Sequence, residues 1–163
     1  ATGDAGKIPK KEFVAALEEC CISLAKQIAA DGEGATKMLE VRVKGARREK
    51  DAEKIARAVI TSPLVKSAVY GEDPNWGRVV CAAGYSGVSF DIDELSLSIG
   101  ENNAETELVH KGEITADLTK AKAAMAGNHV VFTIRLESGK KEAVAWGCDL
   151  TEKYVEINGK YTT

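Results

Sequence analysis

Hydrophobic and polar positions along the chain follow two periods. From Pro9, Phe13, Leu17, Cys20/Cys21, Leu24 and Ile28 recur every three or four residues with charges opposite, which predicts a helix. Pro9 suits its first turn, and Gly32 suits a stop shortly after Ala30. The period then drops to two. Leu39, Val41 and Val43 alternate with Glu40, Arg42 and Lys44, the signature of a half-buried strand. Helical spacing returns from Glu49 to Ile60, with Ala52, Ile55, Ala56, Val59 and Ile60 on the apolar side.

Ser62-Pro63 ends that helix, and the short apolar run Leu64 to Tyr70 reads as a strand. Pro74 opens another helix that passes through Trp76 and closes at Gly84. Leu95, Leu97 and Ile99 alternate with Ser96 and Ser98, and Glu105 to Ile114 continues the sheet. Asp117 caps an alanine-rich helix that ends at Gly127. Phe132, Ile134 and Leu136, followed by Val144 and Trp146, predict a hairpin closed around Ser138-Gly139. Asp149-Leu150-Thr151-Glu152 has capping-box spacing before a last short helix. The pattern as a whole predicts an α+β fold, a mixed and partly antiparallel sheet layered with helices, in one domain over residues 1–163.

Composition narrows the function. With 163 residues, 44% of them hydrophobic, the chain can build a core of its own. A net charge of −3 argues against nucleic acid, and no apolar run reaches membrane-spanning length. Ala1 to Gly6 shows neither an apolar targeting core nor an initiator Met, so the start reads as processed or truncated. Cys20, Cys21, Cys81 and Cys148 lack metal or redox spacing and read as buried, reduced thiols of a cytoplasmic protein. With only His110 and His129 besides, no metal site is expected.

Two segments concentrate glycines and charges: Asp31-Gly32-Glu33-Gly34-Ala35-Thr36-Lys37 and Gly71-Glu72-Asp73-Pro74-Asn75-Trp76-Gly77-Arg78. The first runs from helix into strand, the reverse of a phosphate-binding loop, and its glycine spacing differs from that motif. It is either a glycine-rich helix stop with solvated charges or a loop that aims Glu33 into a cleft to receive an ammonium group. Such a charge-assisted contact is worth about 1.5–3 kcal/mol. In the second segment Asp73 and Asn75 can satisfy the free amides of the following helix, a structural role. His110 has no acid in sequence reach to orient it, and no serine sits in a G-x-S-x-G elbow. Thr2 resembles an N-terminal nucleophile but is not first in the chain.

These segments occur in order with Ser62-Pro63-Leu64-Val65-Lys66, Trp146-Gly147-Cys148-Asp149-Leu150-Thr151 and the terminal Tyr154-Val155-x-Ile157-Asn158-x-x-Tyr161-Thr162-Thr163. From about Phe13 to Thr163 the chain closely resembles the ornithine acetyltransferase (glutamate N-acetyltransferase) family. The resemblance implies a layered architecture of the N-terminal-nucleophile kind and a cofactor-free transfer of acetyl from N-acetylornithine to glutamate in arginine biosynthesis. The family's nucleophile is a threonine exposed by self-cleavage within Ala-Thr-Met-Leu, a segment absent from this sequence. The chain is therefore expected to be the C-terminal part of a β chain with no catalytic residue of its own. Its implied partners are an α chain and the nucleophile-bearing part of the β chain, in a repeated αβ oligomer. The matched positions that contact substrate in the family are Glu33, Asn158 and Thr163. The rival readings are a non-catalytic amino-acid-binding or regulatory module, and a self-cleaving hydrolase on the same fold.

Overall fold

The computed structural model describes residues 2–4, 6–101, 105–115 and 117–160. Helix α1 (Lys10–Ala30) leads into strand β1 (Met38–Ala46), followed by α2 (Glu49–Thr61), α3 (Pro63–Tyr70) and α4 (Trp76–Gly84). A single 3-10 turn (Ile92–Glu94) precedes β2 (Ser96–Ile99), β3 (Thr106–His110) and β4 (Glu113–Ile114). Helix α5 (Leu118–Met125), β5 (His129–Arg135), β6 (Lys141–Cys148) and α6 (Glu152–Gly159) complete the order. Among the described residues the strands form one sheet in the order β4-β3-β2-β5-β1-β6, in which the β1–β5 pair is parallel and the other pairs are antiparallel. The expected α+β class with a mixed, partly antiparallel sheet is the one observed.

The alternation in β1 explains the layering. Leu39, Val41 and Val43 share a face with Val130, Phe132 and Ile134 of β5 and with Leu97 and Ile99 of β2, through the strand registers. All are buried, and Ile55 and Val59 of α2 and Met125 of α5 join them in the core. Each such side chain removed from water contributes about 1.5–3 kcal/mol. The opposite face carries Glu40, Arg42, Ser98, Thr133 and Arg135, and there the C-terminal half of α1 lies. Lys26 of α1 stands 5.5 Å from the ring centroid of Trp146 on β6.

Four expectations need correction. Leu64–Tyr70 is helical, because the Ser62 hydroxyl caps the Val65 amide and Pro63 occupies a first-turn position that needs no N–H. β5 and β6 do not pair, for β1 lies between them and bonds to both. Their connection crosses over the outgoing end of β1, and glycines make the crossing possible. A Cβ on Gly45, at φ +78°, would sit 1.7 Å from the Leu136 carbonyl oxygen, and one on Gly139 would sit 2.4 Å from that of Ala46. Ser138-Gly139 is thus a crossover, not a hairpin turn. The cysteines are free thiols, but Cys20, Cys21 and Cys81 are exposed and Cys148 is half-buried. Two of them sit on α1, which buries no residue at all and leaves Phe13, Leu17, Leu24 and Ile28 open to solvent. Finally, His110 does have an acid beside it, with Nδ1 3.0 Å from Glu107 Oε1. Among the described residues no helix is long and apolar enough to cross a membrane.

The crossover makes a sharp stability prediction. Gly45→Ala places a methyl group against a backbone oxygen in a left-handed conformation, so it is expected to cost more than about 3 kcal/mol. Gly84→Ala, where a Cβ meets open space, changes stability by less than about 1 kcal/mol. Urea unfolding of both variants checks the contrast, and equal midpoints would refute the crossing as the reason for Gly45.

Candidate functional site

The site assembles where β1 begins. β1 and β6 are antiparallel with Met38 opposite Cys148, so the residues just before one strand lie beside those just after the other. The ladder continues as the Asp149 amide donates to the Lys37 carbonyl at 3.1 Å. The Asp149 side chain, 3% exposed, then accepts from the Thr36 amide at 2.9 Å and from the Thr36 hydroxyl. A buried carboxylate needs such donors to avoid a large desolvation cost. The capping-box reading of Asp149 is overturned by this: it holds the loop, and Thr151 caps α6 by accepting from the Tyr154 amide at 3.2 Å.

Loop 31–37 is pressed against this corner. A Cβ on Gly32 would lie 2.6 Å from Cys148 Sγ, and one on Gly34, at φ +68°, would lie 2.9 Å from the Tyr154 nitrogen. Both glycines are therefore sites of close approach. The Thr151 hydroxyl donates to the Gly34 carbonyl at 2.7 Å. Between the glycines Glu33 projects into solvent and accepts from the Asn158 side-chain amide at 2.9 Å. The second Asn158 N–H goes to the Tyr154 carbonyl one turn back, at 3.0 Å. The structure thus brings together two of the three expected site residues, 125 positions apart in sequence. Thr163 lies outside the described residues.

The other motifs converge on the same corner. The Lys37 ammonium, 9% exposed, donates to Glu72 Oε1 at 2.9 Å and to the carbonyls of Met125 and Gly127 at 2.7 and 3.3 Å. It ties the first glycine segment to the second and neutralises the C-terminal end of α5. The Leu150 amide donates to the Lys66 carbonyl of α3 at 3.2 Å. Asn75 accepts from the Arg78 amide at 3.1 Å and donates to Asp73 at 2.9 Å, the capping role that these residue types imply.

Beneath the corner, on the polar sheet face, Glu40 is 2% exposed. It accepts from Arg42 Nε at 2.6 Å and from Trp146 Nε1 at 2.9 Å, with Lys26 Nζ at 3.4 Å. Burial alone would push its carboxyl up, but these hydrogen bonds and the charges of Arg42 and Lys26 hold it below its usual range. His129 opens β5 with Nε2 3.4 Å from Glu40 Oε2, buried and without a hydrogen bond. Among the described residues no group of three or more His, Cys, Asp and Glu is placed to hold a metal ion. Sequence reasoning missed the roles of Lys37, Asp149 and Thr151. Their one signal was polar side chains at the edges of apolar strands.

Fold and site together define the class: a layered α+β domain that presents, at the head of a central strand, a carboxylate on a glycine-rich loop held against a helical amide. The chain belongs to the ArgJ family, which it matches along residues 1–163. It is 51% identical over 142 residues to the glutamate N-acetyltransferase of Methanosarcina mazei, covering 86% of this chain and 36% of that protein. It is also 51% identical over 159 residues to the arginine biosynthesis bifunctional protein ArgJ of Symbiobacterium thermophilum, covering 97% of this chain and 39% of that protein. The crystal structure of the arginine biosynthesis bifunctional protein argJ from Bacillus halodurans superposes with a TM-score of 0.91 at 39% identity, over 99% of this chain and 78% of that one. The chain thus spans less than half the length of the curated relatives it matches.

Glu40 sets a pH dependence. Its carboxyl is lower in the folded than in the unfolded state, so unfolding takes up a proton between the folded value and the ordinary value of about pH 4.5. Its contribution to stability is complete above that pH and is lost as pH falls through the folded value. Urea midpoints are expected to fall in this acid window, and Glu40→Gln to be less stable at pH 7 with a shallower acid decline. An unchanged acid slope in the variant would rule out this carboxylate as a source of the effect.

Proposed function

We propose that this chain is the C-terminal part of the β chain of a glutamate N-acetyltransferase and supplies part of its substrate pocket. The observation that carries the reading is the contact between Glu33 and Asn158, two positions far apart in sequence that sit on one exposed corner. The names of the relatives support it: a glutamate N-acetyltransferase and bifunctional arginine-biosynthesis proteins. The threonine nucleophile belongs to another part of the protein. Its hydroxyl attacks the acetyl carbonyl of N-acetylornithine, the amide C–N bond breaks, and ornithine leaves as the amine. The α-amine of glutamate then attacks the acyl-threonine, which regenerates the hydroxyl and forms N-acetylglutamate.

Both half-reactions place a nitrogen at the same position, the acetamido N–H of the donor and then the α-amine of the acceptor. Glu33 recognises that nitrogen, while Asn158 and Thr163 close over the polar backbone of the same substrate. No cofactor enters. The uncovered apolar side of α1, with Phe13, Leu17, Leu24 and Ile28, is the surface on which the nucleophile-bearing part docks. The assembled αβ unit repeats as a larger oligomer in the cytoplasm.

In the assembled enzyme Glu33→Ala is expected to lower kcat/KM by roughly 10- to 150-fold, the equivalent of about 1.5–3 kcal/mol, with the unfolding midpoint unchanged. Full activity in that variant would remove Glu33 from the pocket. Intact mass and N-terminal sequencing of polypeptides that co-purify with the chain test the assembly. A companion polypeptide is expected, together with a piece that begins with threonine. A chain that purifies alone and still binds amino acids would favour the binding-module reading.

A further inference from the structure

We propose that Thr151 is a positioning residue: its one hydroxyl couples the loop that carries Glu33 to the helix that carries Asn158. The inference rests on the pocket assignment above and adds a residue that this assignment does not include. Thr151 is 4% exposed, so solvent does not compete for its hydroxyl. As donor it meets the Gly34 carbonyl at 2.7 Å, one residue after Glu33. As acceptor it takes the Tyr154 amide at 3.2 Å and caps α6. Tyr154 in turn accepts from Asn158 through its carbonyl at 3.0 Å. A continuous path therefore runs from the Gly34 carbonyl through Oγ1, the first turn of α6 and Asn158 to the Glu33 carboxylate, where the circuit closes at 2.9 Å.

A hydroxyl suits this position because it donates and accepts at once. Valine has the same shape and does neither, which leaves a carbonyl unpaired and a helix uncapped. Serine does both. The packing at Gly34 is a second, independent constraint on the same joint. Any Cβ there meets Lys153 Cβ and the Tyr154 nitrogen at 2.9 Å, so the loop and the first turn of α6 fit together only with glycine between them. The Thr151 hydroxyl is buried and engaged as both donor and acceptor, and Gly34 has no side chain, so neither is placed to react. They act through the placement of Glu33 and Asn158, and that placement governs how well substrate is held.

The test uses the assembled enzyme with Thr151→Val, Thr151→Ser, Gly34→Ala and Glu33→Ala. Thr151→Val is expected to raise KM for N-acetylornithine about tenfold with kcat within about twofold, while Thr151→Ser stays within about twofold of the parent in both. Gly34→Ala should reproduce the KM rise with Thr151 intact. In the Glu33→Ala background, Thr151→Val should add less than about threefold, because one of the two groups it places, and the contact that closes the circuit, are already gone. Amide hydrogen exchange supplies a readout independent of turnover: Thr151→Val should release segments 31–37 and 152–159 together, and Thr151→Ser should restore both. Exchange confined to 152–159 would reduce Thr151 to an ordinary helix cap and overturn the proposal, as would an unchanged KM or fully additive effects. If the parent enzyme transfers no acetyl group, the pocket assignment fails, and joint release of the two segments still decides whether they are coupled.

Discussion

β1 is hydrogen-bonded on both flanks, parallel to β5 on one side and antiparallel to β6 on the other, and the rest of the molecule depends on that arrangement. Because the registers pair Met38 with both His129 and Cys148, three remote stretches of chain end at one level. Residues 31–37, 127–129 and 148–151 must then share a corner, whatever their side chains. A sheet fixes its neighbours through backbone bonds and through alternation of faces, and a slip by one residue would turn Leu39, Val41 and Val43 to the polar side. The core thus enforces the register, and the register places the corner.

Charge is buried at this corner in three different ways. Asp149 is satisfied by neutral donors, an amide and a hydroxyl from Thr36. Lys37 meets one carboxylate and two carbonyls at a helix end. Glu40 draws on a guanidinium, an indole and an ammonium. Polar groups that bury this deeply lower stability unless each finds partners, but once partnered they tolerate few alternative arrangements. Glu33 and Asn158 stay exposed above them. Groups free to meet a ligand therefore rest on groups that have no freedom left.

Much of this was legible in the sequence. The periods of α1, β1, α2 and β2 place those elements within a residue or two, and Asp117 and Asn75 cap helices as their types imply. The run Leu64–Tyr70 misled because seven residues hold too few turns to show a period, so the Ser62-Pro63 pair was the better guide. The β5–β6 hairpin misled for another reason. Short connections usually join neighbours, and no local pattern announces that an earlier strand will slip between them. The corner itself was legible only in part. Glu33 was suggested by its glycine loop and Asn158 only by the family resemblance, whereas Lys37, Asp149 and Thr151 each also act through a contact 88 to 117 residues away in sequence, beyond the reach of any window.

The crossing of the β5–β6 connection over the end of β1 also bears on how the chain is made. Residues 38–46 leave the ribosome before both of their partners and wait for β5 and then β6 to arrive on either side. Loop 31–37 stays without its clamps until residue 151 has emerged. Pairings of such long sequence separation form late, and domains fold as units during synthesis. The glycine loop is translated well before β5 and β6 and is among the last parts of this stretch to take shape. A chain whose translation stopped short of β6 would keep most of its core-forming residues and have no corner, so the order of synthesis itself withholds the site until the domain is nearly finished.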